Sequence, residues 1–203
     1  MSLFKRLLNP NYKSEESRKK DKSSEQSSYY PEQKLPIDEK FTYNFKKNGG
    51  KFIYCENMDE ILEAFDNILM ENDWYERDVF CIDENLTSKF DGFNLNFGKS
   101  GDAAFFFSTC ESLVGNNGSI LLSSNQIKEK KLKELPYNFV IFSTTSKIVD
   151  TISEGLRIIK HQSENYIPTN ITTIQDFETE KEKDFMSYGS STKNLYLLLL
   201  EDL

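Results

Sequence analysis

The chain has 203 residues, 37% of them hydrophobic, which is enough for one full core and too few for two ordinary domains. Its formal charge of −8 opposes broad electrostatic attraction to nucleic acid or anionic lipid, since both require a basic face. Cys55, Cys81 and Cys110 are odd in number, far apart and set in or beside apolar runs, a pattern that predicts buried free thiols in a reducing compartment and no disulfide framework.

The N-terminal stretch places Leu3, Phe4, Leu7 and Leu8 beside Lys5 and Arg6, a short amphipathic segment stopped at Pro10. It lacks the long apolar core and small-residue cleavage site of a secretory signal. Residues 11–40 are dominated by Lys, Glu, Ser, Asp and Gln, with too few aliphatic side chains to offset the entropy of ordering. The expected division is an amphipathic segment and flexible polar arm over 1–37, then an α/β domain over 38–203. The apolar run Leu195 to Leu200 is too short to span a bilayer, so no membrane span and a cytoplasmic location are expected.

Ordered structure is predicted from Asp38, with a helix carrying Phe41 and Phe45 that runs into Gly49-Gly50, a pair suited to a left-handed C-cap. Phe52 to Cys55 reads as a strand. Asn57, with Glu60 three residues on, marks a capping-box helix start, and Met58, Ile61, Leu62, Phe65, Ile68 and Leu69 keep one helical face through to Asn72. A buried strand is predicted at Val79 to Ile82, a short helix from Asn85 to Phe90, and strands at Ala103 to Ser108 and Ser119 to Ser123 with a turn-rich link between them. Leu135-Pro136 introduces a strand at Phe139 to Ser143. Thr144-Thr145-Ser146 is then read as the cap of a helix with Ile148, Val149, Ile152, Leu156 and Ile159 inside. A short strand at Asn170 to Ile174, a charged segment from Glu178 to Lys183 and a last strand from Leu195 to Leu200 complete the series. Strands alternating with helices predict a mostly parallel sheet covered on both faces.

The run from Ser108 to Leu122, with Thr109 and Glu111 in its first turn and Gly118-Ser119 opening its second strand, resembles the lactate utilization protein C (LUD-domain) family. The resemblance extends to Phe45-Lys46-Lys47-Asn48-Gly49-Gly50-Lys51, to Leu135-Pro136 before Phe139-Val140-Ile141-Phe142, and to Ser146-Lys147-Ile148-Val149, and so covers Asp38 to Ile159. It implies a three-layer α/β/α fold like that of CoA transferases and ribose-5-phosphate isomerase. It also implies a role as an accessory subunit in oxidising lactate to pyruvate beside iron–sulfur partner proteins. The family's Gly-Pro-Ser-Arg-Thr-like motif is replaced here by Ile171-Thr172-Thr173-Ile174-Gln175-Asp176 and charged residues.

Three polar turns are candidates for binding a small carboxylate or phosphate at one sheet edge, because strand C-termini and helix N-termini gather anions. They are Ser108-Thr109 with Glu111, Thr144-Thr145-Ser146, and Ser191-Thr192-Lys193; Gly118 and Ser119 complete the ligand-binding set. Helix capping is the favoured account of Thr144 to Ser146, and turn geometry that of Gly118 and Ser119. Glu111 is the candidate catalytic residue, as nucleophile or base of an isomerase or acyl-CoA transferase-like enzyme. A third reading is a non-catalytic interaction module working through the N-terminal arm. No Gly-rich dinucleotide fingerprint, Walker loop or paired-cysteine motif occurs, so no cofactor is expected. His161 is the only histidine and sits at the polar end of a helix, which argues against a metal site.

Overall fold

The computed structural model describes residues 35–98, 102–163, 167–177 and 193–203. The arm expected over 1–37 therefore lies, up to residue 34, outside the described residues, as do the Glu178 to Lys183 segment, Ser191 and Thr192.

Helix α1 (Ile37–Lys47) carries Asp38, Phe41, Thr42 and Phe45 on one buried face. It closes with a Schellman pair, Gly49 N–H to Lys46 O and Gly50 N–H to Phe45 O, with Gly49 at φ 90°, and so turns directly into β1 (Lys51–Cys55). Helix α2 (Met58–Asn72) starts at the predicted N-cap: Asn57 accepts from the Glu60 N–H at 3.0 Å, while Glu60 reaches one residue further back than in a capping box, to the Glu56 N–H at 2.8 Å. There follow β2 (Asp78–Phe80), α3 (Glu84–Lys89) capped by Asp83, β3 (Asn96–Gly98) and β4 (Phe105–Ser108). The hairpin β5 (Ser112–Val114) and β6 (Ser119–Leu122) leads into the single turn α4 (Ser124–Ile127), then β7 (Asn138–Thr144) and β8 (Ile148–Val149). Helix α5 (Ile152–Gln162), β9 (Thr172–Ile174) and β10 (Asn194–Leu200) end the described chain.

Six strands form one all-parallel sheet in the order β1-β10-β7-β4-β2-β3. Side-chain alternation divides its residues between two cores. Phe105, Phe107, Val140, Phe142, Tyr196 and Leu198 face the layer of α2 and α3. Phe106, Phe139, Ile141, Leu195, Leu197 and Leu199 face the other way. The result is the expected three-layer α/β fold with a mostly parallel sheet.

The second outer layer is built differently from the expectation. It contains a four-stranded sheet, β8-β5-β6-β9, flanked by α1 and α4, with α5 packed outside it. The link read as turn-rich contains β5. The helix expected to start at Thr144–Ser146 starts instead at Ile152, where the Thr151 side chain accepts from the Glu154 N–H at 3.2 Å. Ile148 and Val149 are β-branched and pair with Leu113 and Val114 as a strand, and Leu156, placed inside by the periodicity, is 40% exposed.

Candidate functional site at the strand ends

Because every strand of the main sheet runs the same way, Ser108, Thr144 and Leu200 come out at one edge, and the loops that follow them are neighbours. The Thr144–Ser146 turn there already holds a carboxylate. Asp202, just beyond β10, accepts from Thr145 Oγ1 at 2.9 Å, from the Ser146 N–H at 2.8 Å and from Ser146 Oγ at 2.6 Å. Partial burial raises the Asp202 pKa, but the bonds from Ser146, Thr145 and Thr144 outweigh it and bring it below the ordinary value. The turn therefore has the donor chemistry expected of it, applied to the chain's own side chain.

Lys147 ends the same turn. Its Nζ donates to the Cys110 carbonyl at 2.5 Å, which ties the loop after β7 to the loop after β4. An ammonium has three donors, and no second partner of Lys147 occurs among the described residues. Between the two loops the Cys110 thiol meets Ser143 Oγ at 3.3 Å. Burial pushes that thiol up against the opposing pull of Lys147 and Ser143, so Cys110 stays a thiol. Burial likewise lifts Cys55 and Cys81 to about 11. All three cysteines are free and buried.

Glu111 is positioned by the hairpin. Its N–H bonds Leu121 O at 2.9 Å, which sets its side chain beside the residues following β6. There Glu111 Oε1 accepts from Ser123 Oγ at 2.5 Å and from Asn125 Nδ2 at 2.9 Å. Ser123 is also the N-cap of α4, in a capping box with Gln126. The carboxylate is thus engaged in fixing the start of a helix. Ser108 is buried and Thr109 half-buried beside it at the end of β4.

The remaining candidates lie elsewhere. Gly118 and Ser119 form the far turn of the hairpin against α1, where Asn117 Oδ1 accepts from the Ser119 N–H at 3.2 Å and from its Oγ at 2.8 Å. Lys193 precedes β10 and so belongs to the opposite, N-terminal edge of the sheet, which corrects the expectation that it shares an edge with Thr144. It is 4% exposed, donates to Leu135 O at 3.1 Å and Pro136 O at 3.0 Å, and lies 5.1 Å from the Phe139 ring centre. An open cleft of about 410 Å³, lined by Asn72, Trp74, Arg77, Asp78 and Asn138 among others, is also at that opposite edge and holds none of the candidate residues.

Burial lowers the Lys193 pKa to about 8, below the 10.5 of an exposed lysine. Between these values the unfolded chain binds the proton that the folded chain has released, so folding stability rises with pH across the window. Urea unfolding from pH 7.5 to 10.5 is expected to show that rise in the wild type and to lose it in Lys193→Met. Parallel pH profiles for the two proteins would rule the effect out.

Sequence reasoning did not single out Lys147 or Asp202 as site residues. Lys147 was read only as part of a helix start, and an isolated Asp202 carries no motif. Among the described residues no group of three or more His, Cys, Asp or Glu is placed to hold a metal ion, and no helix is long and apolar enough to cross a membrane.

A parallel α/β sheet with hydroxyl-rich turns and one lysine at its strand ends defines a class of proteins that carry their sites at that edge. Residues 93–199 match the LUD domain family, more than half of the chain, and the chain belongs to that family. Its structure is similar to the crystal structure of a DUF162 family protein from Deinococcus radiodurans, with a TM-score of 0.55 and 13% identity, covering 82% of this chain and 96% of that one. At that identity the likeness speaks for the fold. No curated protein matches the chain.

Proposed function

We propose that this LUD-domain protein is a cytoplasmic accessory protein of lactate utilization, working beside iron–sulfur partner proteins and binding a small carboxylate at the strand ends of its main sheet. The observation that carries the reading is family membership over 93–199, a span that contains the loops after β4 and β7. The Asp202 carboxylate on Thr145 and Ser146 supports the ligand class, since lactate and pyruvate present the same group. Lys147 supplies the positive charge, and Ser108 and Thr109 supply hydroxyls across the edge. Isomerase or acyl-CoA transferase chemistry at Glu111 is the less favoured reading, because two donors from the start of α4 already share its Oε1.

Isothermal titration of the full chain with lactate and with pyruvate is expected to show binding, weakened at least about tenfold in Lys147→Met, the scale of one hydrogen bond to a charged group. Deletion of the gene in its host should impair growth on lactate, and tagged protein should retain iron–sulfur partners. Absence of binding to both acids, together with normal growth on lactate, would refute the proposal.

A further inference from the structure

We infer that Asp38 is a ligand-binding residue of the strand-end site, its carboxylate accepting a hydrogen bond from the hydroxyl of a small 2-hydroxy acid whose own carboxylate faces Lys147; the inference rests on the function proposed above. Asp38 is 6% exposed, and both of its carboxylate oxygens are without a hydrogen-bond partner among the described residues. A buried polar group in that condition is costly to the fold and rare, and a ligand is one of the few things that account for it.

Helix α1 itself offers no partner. Thr42 Oγ1, one turn on, donates to the Asp38 backbone carbonyl at 2.9 Å and not to its carboxylate. Lys40, two residues on in the chain, is paired with Asp150 at 2.8 Å. The positive end of an eleven-residue helix makes the carboxylate tolerable in the first turn but leaves its lone pairs open. With no cluster of acidic, His or Cys ligands among the described residues, a single carboxylate does not supply the oxygen set that a divalent cation takes. A hydrogen-bond donor on a small molecule satisfies those lone pairs.

The fold brings this carboxylate to the strand-end side. The tight turn at Asn48 to Gly50 folds α1 back along β1, so the first turn of the helix rises to the C-terminal end of that strand. Ile37 packs against Gly115, where an added Cβ would lie 3.1 Å from Ile37 Cγ1 and 3.4 Å from Val149 O. Val149 is two residues from Lys147 along the chain. Phe41, on the same buried face as Asp38, shares a core with Cys110 and Ile148, and Cys110 carries the carbonyl that Lys147 holds. A cation and an open acceptor on this side of the sheet suit a molecule that carries both a carboxylate and a hydroxyl.

The test compares lactate with propionate, which keeps the carboxylate and lacks the hydroxyl, by titration of the full chain. Wild type is expected to favour lactate at least about tenfold, on the scale of a hydrogen bond to a charged acceptor. Asp38→Leu, which removes the acceptor at similar volume, should bring the ratio close to one, and the isosteric Asp38→Asn should reduce it. Both variants should melt at or above the wild-type temperature, since each removes an unpartnered buried carboxylate. Equal wild-type affinities for the two acids, a ratio unchanged in both variants, or a lower melting temperature in both overturns the inference while leaving the proposed function standing. Binding of neither acid overturns this inference, and the proposed function is then decided by the pyruvate titration and the growth test given above.

Discussion

Gly118→Ala is expected to destabilise the protein by about 3 kcal/mol or more, lowering its melting temperature by roughly 10 °C for a chain of this size. Two effects act together. Gly118 has φ +68°, where an L side chain costs about 1–2 kcal/mol. A Cβ there would also lie 2.4 Å from Asn44 C and Phe45 N and 2.9 Å from Asn44 Cβ, and backbone atoms within a helix cannot give way as a flexible side chain does. The hairpin would have to lift off α1. That movement would break the bonds docking it there, from Asn44 Nδ2 to Gly115 O at 2.9 Å and from Asn48 Nδ2 to Asn117 O at 2.7 Å. Gly92→Ala is the control, because an added Cβ there meets nothing within 4 Å. Calorimetric melting of both variants settles the matter: a Gly118→Ala melting temperature within about 2 °C of wild type would disprove the account.

The residues of this turn also mark where sequence reasoning succeeded and where it stopped. Gly118 was legible as a glycine required by a turn, yet the helix that crowds it is more than seventy residues earlier in the chain, and only the fold brings the two together. Helix α2 was legible to its first residue because the Asn57 cap and the apolar periodicity are local signals that agree. Strands β4, β7 and β10 were legible as short apolar runs, since a parallel strand is buried on both faces. Strands β5 and β8 were not, because two or three residues carry no period and their identity depends on each other. The same distinction governs the site. Ser108, Thr144, Thr145 and Ser146 could be placed at one edge from strand direction alone. Lys193 could have been assigned the same way, since it precedes the predicted last strand at Leu195 and so belongs to the opposite edge; its polar loop resembles those at the strand ends, and that likeness misplaced it. Asp202 stayed hidden since its role is a contact with a turn fifty-six residues away. Asp38, read from sequence as a plain helix start, shows its significance only through a burial and an absence of partners that no local pattern encodes.

Phe65→Ala is expected to cost about 3–5 kcal/mol, a large fraction of the whole stability of an ordinary domain. Phe65 is fully buried on the inner face of α2, with ring centres 4.8 Å from Phe90, 5.1 Å from Phe93, 4.9 Å from Phe107 and 6.3 Å from Phe105. These partners come from α3, the turn after it and the central strand β4, so the ring joins a helix layer to the sheet. Its removal leaves a cavity walled by four other rings, which cannot rotate inward without abandoning their own ring contacts. Phe65→Leu keeps part of the volume and should lose about half as much. Trp74, the only tryptophan, stacks on Phe105 at 4.6 Å within this same core, so its fluorescence reports the transition directly. Urea unfolding followed at that signal is the measurement, and a loss below about 1 kcal/mol for Phe65→Ala would show that the cluster repacks. Since this core faces away from the second sheet, folded Phe65→Ala should bind lactate as wild type does, which separates the stability of the scaffold from the chemistry at its strand ends.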